Sequence, residues 1–238
     1  ADPVLVVTPA DQTVVKADAF SAAMQQAVAE AANGTIVILG VTPDKPETGY
    51  GYIQTGSKVG TDVYEVQRFV EKPEASRAAA MIATGDHVWN GGIFLFRAGS
   101  YLDAVQEHAP SMDVAVRAAM DKAQHDGNLV RPHHESFASS PADSIDYAIM
   151  EKAEKVAVAP VSMGWSDVGS WDALHDIGQK DIDGNVTSGT VRIDQSNGNL
   201  IHANGIRVSV HGVSDMLIIA NGSEVMILPR GTSQKVRE

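Results

Sequence analysis

The chain contains no cysteine, which excludes a disulfide scaffold, thiolate catalysis and cysteine-based zinc sites. Basic residues are scarce. Eighteen Lys and Arg stand against 30 Asp and Glu, a net charge of −12, which argues against a nucleic-acid partner. An acidic protein that handles phosphates then needs local cations or a metal. No apolar run is long enough to span a bilayer and no signal peptide opens the chain, so no membrane contact is expected and the cytoplasm is the default location. Methionine is missing from position 1, and Pro3-Val4-Leu5-Val6-Val7 runs straight into a strand pattern. The front of a longer protein is expected to be missing. What remains is globular: 44% hydrophobic and 20% charged residues are values of a folded domain. The length of 238 residues allows one large domain, or one with a small appendage.

Taken in order, Val4 to Val7 reads as an interior strand with Asp11 at its tip. Phe20 to Ala32 reads as a helix stopped by Asn33-Gly34. Thr35 to Leu39 is the next β-branched run, so a βαβ unit and a largely parallel sheet are expected. Val41 to Gly56, rich in proline and glycine, reads as a loop. Within it Gly49-Tyr50-Gly51 lets the backbone approach a ligand closely; a tight turn is the plainer alternative. Val63 to Val70 alternates as a strand and leads into Glu71-Lys72-Pro73 and a helix from Glu74 to Ala83. Lys72 at a strand end suits a phosphate, although a lone lysine is more often solvated surface.

His87 to Phe96 reads as a strand interrupted by Asn90-Gly91-Gly92, a pattern of bulges and close approach. The Asn90 amide both donates and accepts, which suits a sugar hydroxyl. Tyr101 to His108 and Met112 to His125 read as packing helices. His133-His134-Glu135 lacks the i, i+4 spacing of a helical metal site and reads as exposed loop. Ser144 to Lys152 reads as a short helix with Asp146 and Glu151 near its ends, facing either a polyol or solvent. From Gly184 onward short β-rich runs (Thr190–Ile193, Leu200–His202, Arg207–Val210, Met216–Ala220 and Val225–Leu228) alternate with Asn-Gly and Gly turns. They form a separate all-β segment with no strict repeat period.

The densest motif is Gly164-Trp165-Ser166-Asp167-Val168-Gly169-Ser170-Trp171. It places an acidic side chain between a strand end and a helix start, where open α/β sheets put ligand chemistry. A carboxylate there suits a hard cation and its phosphates. The plainer reading is that Asp167 caps the helix begun near Ser170.

Together with Val7-Thr8-Pro9-Ala10-Asp11, Pro46 to Tyr52, Phe69 to Pro73, Trp89 to Gly92 and Ile145 to Lys152, this motif resembles the sugar-nucleotide pyrophosphorylases, and within them the mannose-1-phosphate guanylyltransferase branch. Six motifs in family order are jointly specific; each alone is weak. The resemblance implies a Rossmann-like, GT-A-like mixed sheet with helices on both faces over residues 1–180. It also implies a β-helix-like segment over 181–238, which in that family serves dimerisation. It implies that Asp11 and Asp167 hold Mg²⁺, that Lys72 binds the sugar phosphate and Glu71 a sugar hydroxyl. Asn90 and Asp146 would contact the hexose, Gly49, Tyr50 and Gly51 would close over it, and Glu151 would stand at its edge.

The reaction implied joins GTP and mannose 1-phosphate into GDP-mannose and pyrophosphate, with Asp11, Asp167 and Lys72 as the catalytic set and a homodimer as the expected assembly. Two departures stand out. Gln12 replaces the family's usual histidine, and the family's glycine-rich nucleotide loop is not among the 238 residues. The chain alone is therefore expected to bind sugar phosphate and to turn over poorly or not at all. Another nucleotide-hexose pyrophosphorylase and a non-catalytic sugar-phosphate-binding subunit are the alternatives.

Overall fold

The computed structural model describes residues 2–233 and 236. The chain divides into two compact units: Ala1–Ala10 with Val14–Trp165, and Asp11–Thr13 with Ser166–Glu238. The divide falls at Trp165/Ser166.

The first unit is built on a six-stranded sheet. Its elements begin with β1 (Val4–Val7), the short β2 (Thr13–Val14, entering from the second unit), α1 (Ala17–Ala32) and β3 (Ile36–Val41). They continue through β4 (Tyr52–Gly60), β5 (Val63–Val70), α2 (Ala75–Thr84), β6 (His87–Arg97), α3 (Ala98–His108) and α4 (Pro110–Asp121). A hairpin of β7 (Gln124–Asp126) and β8 (Leu129–Arg131) and the short α5 (His134–Ala138) follow. A π-helical turn (Asp146–Met150), β9 (Val156–Val161) and β10 (Trp165–Ser166, leaving the unit) complete it. The sheet order is β1-β6-β3-β9-β5-β4, and β4 also bonds back to β6.

Strand β3 lies at the centre and is buried along its whole length, which is why it reads as an unbroken apolar run. Its alternate side chains feed two cores. Val37, Leu39 and Val41 pack with Ala23, Ala27 and Ala31 of α1 and with Ala78 and Met81 of α2. Ile36 and Ile38 pack with Val105 of α3 and with Ala148, Ile149 and Met150 of the π turn. Helices therefore cover both faces. The alanines of α1 recur every fourth residue, so one small-residue stripe lies against the sheet.

Several expectations are corrected. Among the described residues of this sheet only β3 and β9 run parallel; the other ladders, β1–β6, β3–β6, β4–β5, β4–β6 and β5–β9, are antiparallel. The sheet is mixed because β6 runs against β1, β3 and β4, and β5 runs against β4 and β9. Strand β1 is an edge, not an interior strand: among the described residues it pairs with β6 alone, and Leu5, Val6 and Val7 are exposed. The loop after β3 ends at Gly51, and β4 takes up Tyr52–Gly60. Helix α4 stops at Asp121, since Gln124–Asp126 is the first strand of a hairpin. His133-His134-Glu135 opens α5, where His133 Nδ1 accepts the Ser136 N–H at 3.3 Å.

The predicted interruption of β6 is present. The register slips between Ile38 and Gly40 against β6. A Cβ on Gly91 would stand 2.7 Å from the Leu39 carbonyl oxygen, so glycine is required for that close approach.

The second unit holds α6 (Trp171–Ile177) and a sheet of β11 (Val186–Asp194), β12 (Leu200–His211), β13 (Met216–Asn221) and β14 (Glu224–Pro229). Strands β11, β12 and β13 are parallel with no helical crossover, and β14 closes the sheet antiparallel. The register explains the missing repeat. Leu200↔Leu217, Val191↔Val208 and Asn197↔Ser214 are each 17 residues apart, but Val186↔Leu200 only 14. One coil is three residues shorter than the next, which hides the period. Leu200, Leu217, Ile219 and Leu228 form its core with Trp171 and Leu174 of α6. At the turns, buried Asn199 both donates and accepts along the stack: Asn199 N and Nδ2 donate to Asn185 Oδ1 at 3.0 and 2.9 Å, and Met216 N donates to Asn199 Oδ1 at 2.9 Å. Such bonds satisfy turn amides that burial would otherwise orphan.

Candidate functional site

The residues singled out from the sequence fall into two groups, one in each unit. In the first unit β5 delivers Glu71 and Lys72 just past Val70. The Lys72 N–H donates to the Tyr50 carbonyl at 3.2 Å, and Lys72 has φ +45°, a left-handed conformation uncommon outside glycine. Lys72 Nζ lies 3.0 Å from Glu71 Oε1, with the lysine side chain 61% exposed and the glutamate 11%. The hydrogen bond and charge of Glu71 hold the Lys72 ammonium above its ordinary pKa, so it is a fixed cation at neutral pH.

The other carboxylate oxygen, Glu71 Oε2, is buried without a hydrogen-bond partner. It faces Gly51, where a Cβ would stand 2.5 Å away. Glycine is what lets the loop backbone pass over the carboxylate. The Gly51 carbonyl in turn accepts the Asn90 N–H at 2.8 Å, so the Tyr50-Gly51 peptide segment is tied to both β5 and β6. Gly49 is exposed, and its N–H donates to Glu47 Oε1 at 3.3 Å.

Asn90 Nδ2 donates to Asp146 Oδ1 at 2.8 Å, and Asn90 Oδ1 accepts the Gly92 N–H at 3.0 Å. Asp146 opens the π turn, a geometry that recurs at functional sites. Burial pushes its carboxyl pKa up and the charges of Glu71 and Glu151 push the same way, while the Asn90 hydrogen bond and Lys72 oppose them. Glu151 is exposed at the end of that turn, and among the described residues its side chain makes no hydrogen bond. The first unit therefore brings Gly51, Glu71, Lys72, Asn90 and Asp146 together and leaves Gly49 and Glu151 at the margin.

The sequence reading assigned no role to Trp89 and Trp165, yet the Tyr50 ring meets both edge-on, at 5.1 Å each. Such contacts add about 0.5–1.5 kcal/mol per pair, so they anchor the Tyr50-Gly51 loop. The signal was present in the chain: all three of its tryptophans lie inside the motifs.

The second group is Asp11 and Asp167. Lys16 N–H donates to Met163 O at 2.9 Å and Val15 N–H to Gly164 O at 3.2 Å; Thr13 Oγ1 approaches Ser166 O at 3.5 Å. As one segment descends from 16 to 13 the other climbs from 163 to 166, so Asp11 and Asp167 follow at the same end of this ladder. Asp167 Oδ1 accepts the Gly169 N–H at 3.1 Å, and Ser166 Oγ the Val168 N–H at 3.1 Å. Val168 is held at φ +53°, an outlier for a β-branched side chain. Ser170 itself caps α6, accepting the Ala173 N–H at 3.1 Å, so Asp167 is not that cap. The Asp167 loop borders a groove of about 940 Å³ lined by Trp171, Leu174, Ile219 and Met226. Among the described residues no group of three or more His, Asp or Glu side chains is placed to hold a metal.

A mixed α/β sheet with helices on both faces, carrying acidic and basic side chains at its strand ends and followed by a coiled β-segment, is the nucleotidyltransferase fold. The chain belongs to the nucleotidyl transferase family, which residues 1–184 match. It is 40% identical over 238 residues to the alginate biosynthesis protein AlgA of Pseudomonas aeruginosa, covering 99% of this chain and 50% of that one. It is 38% identical over 241 residues to the mannose-1-phosphate guanylyltransferase of Escherichia coli, covering 100% of this chain and 50% of the relative. The chain thus spans about half the length of the curated relatives it matches. A crystal structure from Thermus thermophilus, described as a mannose-1-phosphate geranyltransferase, superposes with a TM-score of 0.87 at 33% identity over 99% of this chain and 68% of that one. Among the described residues no helix is long and apolar enough to cross a membrane.

Proposed function

We propose that this chain is the sugar-phosphate-binding part of a mannose-1-phosphate guanylyltransferase. The observation that carries the reading is the first-unit cluster: Asn90 bonded to Asp146 at 2.8 Å beside the Glu71–Lys72 pair at 3.0 Å, with Glu71 Oε2 buried and unpartnered. A buried acceptor without a donor is costly, and a hexose hydroxyl would satisfy it. Asp146 and Asn90 accept and donate to neighbouring hydroxyls, and Lys72 neutralises the phosphate. The names of the relatives support mannose and guanine over other choices.

In the reaction proposed, a phosphate oxygen of mannose 1-phosphate attacks the α-phosphorus of GTP. The bond from that phosphorus to the bridging oxygen breaks, and pyrophosphate leaves. The attacking oxygen is already anionic, so no general base is needed; positioning and charge neutralisation suffice. Asp11 and Asp167 are hard oxygen donors at one end of one ladder and fit Mg²⁺, which completes its shell with waters and phosphates. When bound there, it would supply charge neutralisation at the phosphates. No glycine-rich phosphate loop occurs among the 238 residues, so this chain by itself is proposed to bind mannose 1-phosphate with little turnover. A homodimer and a cytoplasmic location complete the proposal.

The test is calorimetric titration of the 238-residue chain with mannose 1-phosphate, paired with pyrophosphate release from GTP in Mg²⁺. Saturable binding that Asp146→Asn weakens, with little pyrophosphate release, supports the reading. Absence of binding overturns it, and rapid release would show that the nucleotide is handled without such a loop.

A further inference from the structure

We infer that the first unit carries a second ligand site, a pocket for an unphosphorylated saccharide centred on His87. A cavity of about 620 Å³ lies between the first half of α1 and the strand ends around His87, within the range of small-molecule sites. His87 is 8% exposed at its side chain, with Nδ1 2.7 Å from Asp86 Oδ1 and 2.9 Å from Thr84 Oγ1. The carboxylate therefore holds the proton on Nδ1 and fixes the ring. Nε2 makes no hydrogen bond among the described residues, and the ring lines the cavity, so a ring nitrogen open to a ligand hydroxyl is presented there.

The rest of the lining selects the chemistry. Gln26, Thr42, Tyr64 and Ser162 bring an amide and three hydroxyls whose side chains are not otherwise hydrogen-bonded among the described residues. Ala19, Ala22 and Val161 add apolar surface to the lining. A mixture of polar groups and apolar surface suits a sugar ring, which has hydroxyls on its rim and C–H groups on its face.

Competing ligands fit less well. Among the described residues no Lys or Arg lines the cavity, which disfavours a phosphate. The two carboxylates present are already engaged: Asp86 by Gln54 Nε2 at 2.9 Å as well as by His87 and Thr84, and Asp62 by Lys58 at 3.1 Å. An amine would find no free counter-charge. The donors bound to Asp86, Thr84 first, hold its carboxyl down at about 2, so it stays ionised and keeps His87 oriented. This site shares no lining residue with the Glu71–Asp146 cluster, so it stands apart from the function proposed above.

The test uses methyl α-D-mannopyranoside, which has no phosphate and a blocked anomeric oxygen. The imidazole resonances of the whole chain, carbon-13 labelled at histidine, are followed during titration, with and without saturating mannose 1-phosphate. The expected result is a saturable shift at His87 in both titrations. Gln26→Leu with Ser162→Ala, at positions that are at least partly exposed, should keep the fold and weaken binding about tenfold or more through two lost hydrogen bonds. Three results overturn the inference: no shift at His87, a shift abolished by mannose 1-phosphate, or unchanged affinity in the folded double variant. Failure of mannose 1-phosphate to bind would count against the proposed function and leave this site standing.

Discussion

Asp146 holds the charge that most constrains the first-unit cluster. Burial raises its carboxyl pKa above the ordinary value. For such a group stability is greatest with the proton on, below the unfolded-state pKa, and falls as pH rises through the folded-state value. At neutral pH its ionised form is held against that cost. Asp146→Asn keeps an acceptor for Asn90 Nδ2 and removes the charge. The melting temperature should then rise by a few degrees at neutral pH, while mannose 1-phosphate binding weakens by about 10- to 100-fold, the scale of a lost charge-assisted hydrogen bond. Thermal melts and calorimetry on one preparation check both signs; a lower melting temperature would show that the charge is compensated. Val168, at φ +53°, invites the complementary change. Val168→Gly removes a conformational cost of about 1–3 kcal/mol and gives back part of it as unfolded-chain entropy. A net gain of about 1 kcal/mol is expected in urea unfolding, and a loss would show that the valine side chain packs more strongly than its backbone is strained.

At the scale of elements, local chemistry was readable and pairing was not. Asn33-Gly34 ends α1, and Pro73 precedes α2, because those residues set backbone geometry by themselves. Asn90-Gly91-Gly92 announced the β6 bulge for the same reason. Strand β1 could not be placed from Val4–Val7: an apolar run looks alike in the centre of a sheet and at its edge, and only its partners decide. The antiparallel course of β4, β5 and β6 is likewise a matter of long-range pairing. Tyr50, Glu71, Asn90 and Asp146 were singled out through the family resemblance, but the wedge of Tyr50 between Trp89 and Trp165 joins residues far apart in the chain. In the coiled segment the glycines mark corners that strand propensity alone misses, so Leu200–His202 and Arg207–Val210 looked like two strands and are one bent strand. Gly189 is the strictest of these corners, with φ +85° and a hypothetical Cβ 1.8 Å from the Ala203 carbonyl oxygen. Gly189→Ala combines left-handed strain with a backbone clash and should cost about 3 kcal/mol or more. Far-ultraviolet circular dichroism during urea unfolding would register it as a lower midpoint or an early loss of β signal, whereas Gly212→Ala, with open space at its Cβ, should cost distinctly less.

For the whole molecule the excess of 30 acidic over 18 basic residues makes acid the informative perturbation. The carboxyls of Asp2 and Asp86 in the first unit and of Asp172 and Asp181 in the second all sit below their ordinary pKa. A depressed carboxyl contributes stability above its unfolded-state pKa and loses it as pH falls through the folded-state value. The window opens near pH 3.8 and extends to about 2, the value for Asp86. Stability should therefore change little between pH 7 and 5 and drop steeply below about 4. The contributions differ in kind. Asp2, Asp86 and Asp181 are open to solvent, so salt screens them. At Asp172 burial works against the ionised form, but the Gly231 N–H at 2.6 Å, the Ser233 hydroxyl, the Ser233 N–H at 3.1 Å and the charge of Arg230 together outweigh it. These bonds tie residues 231–233 to the start of α6, and protonation of Asp172 releases them. Asp172→Asn should accordingly lower stability at pH 7 and flatten the acid limb, since the variant has already lost what acid removes. Melting temperature against pH, at low and high salt, distinguishes this tether from diffuse charge: an acid limb that salt abolishes in the parent chain would assign it to surface repulsion, and one that survives salt but disappears in Asp172→Asn assigns it to the tether.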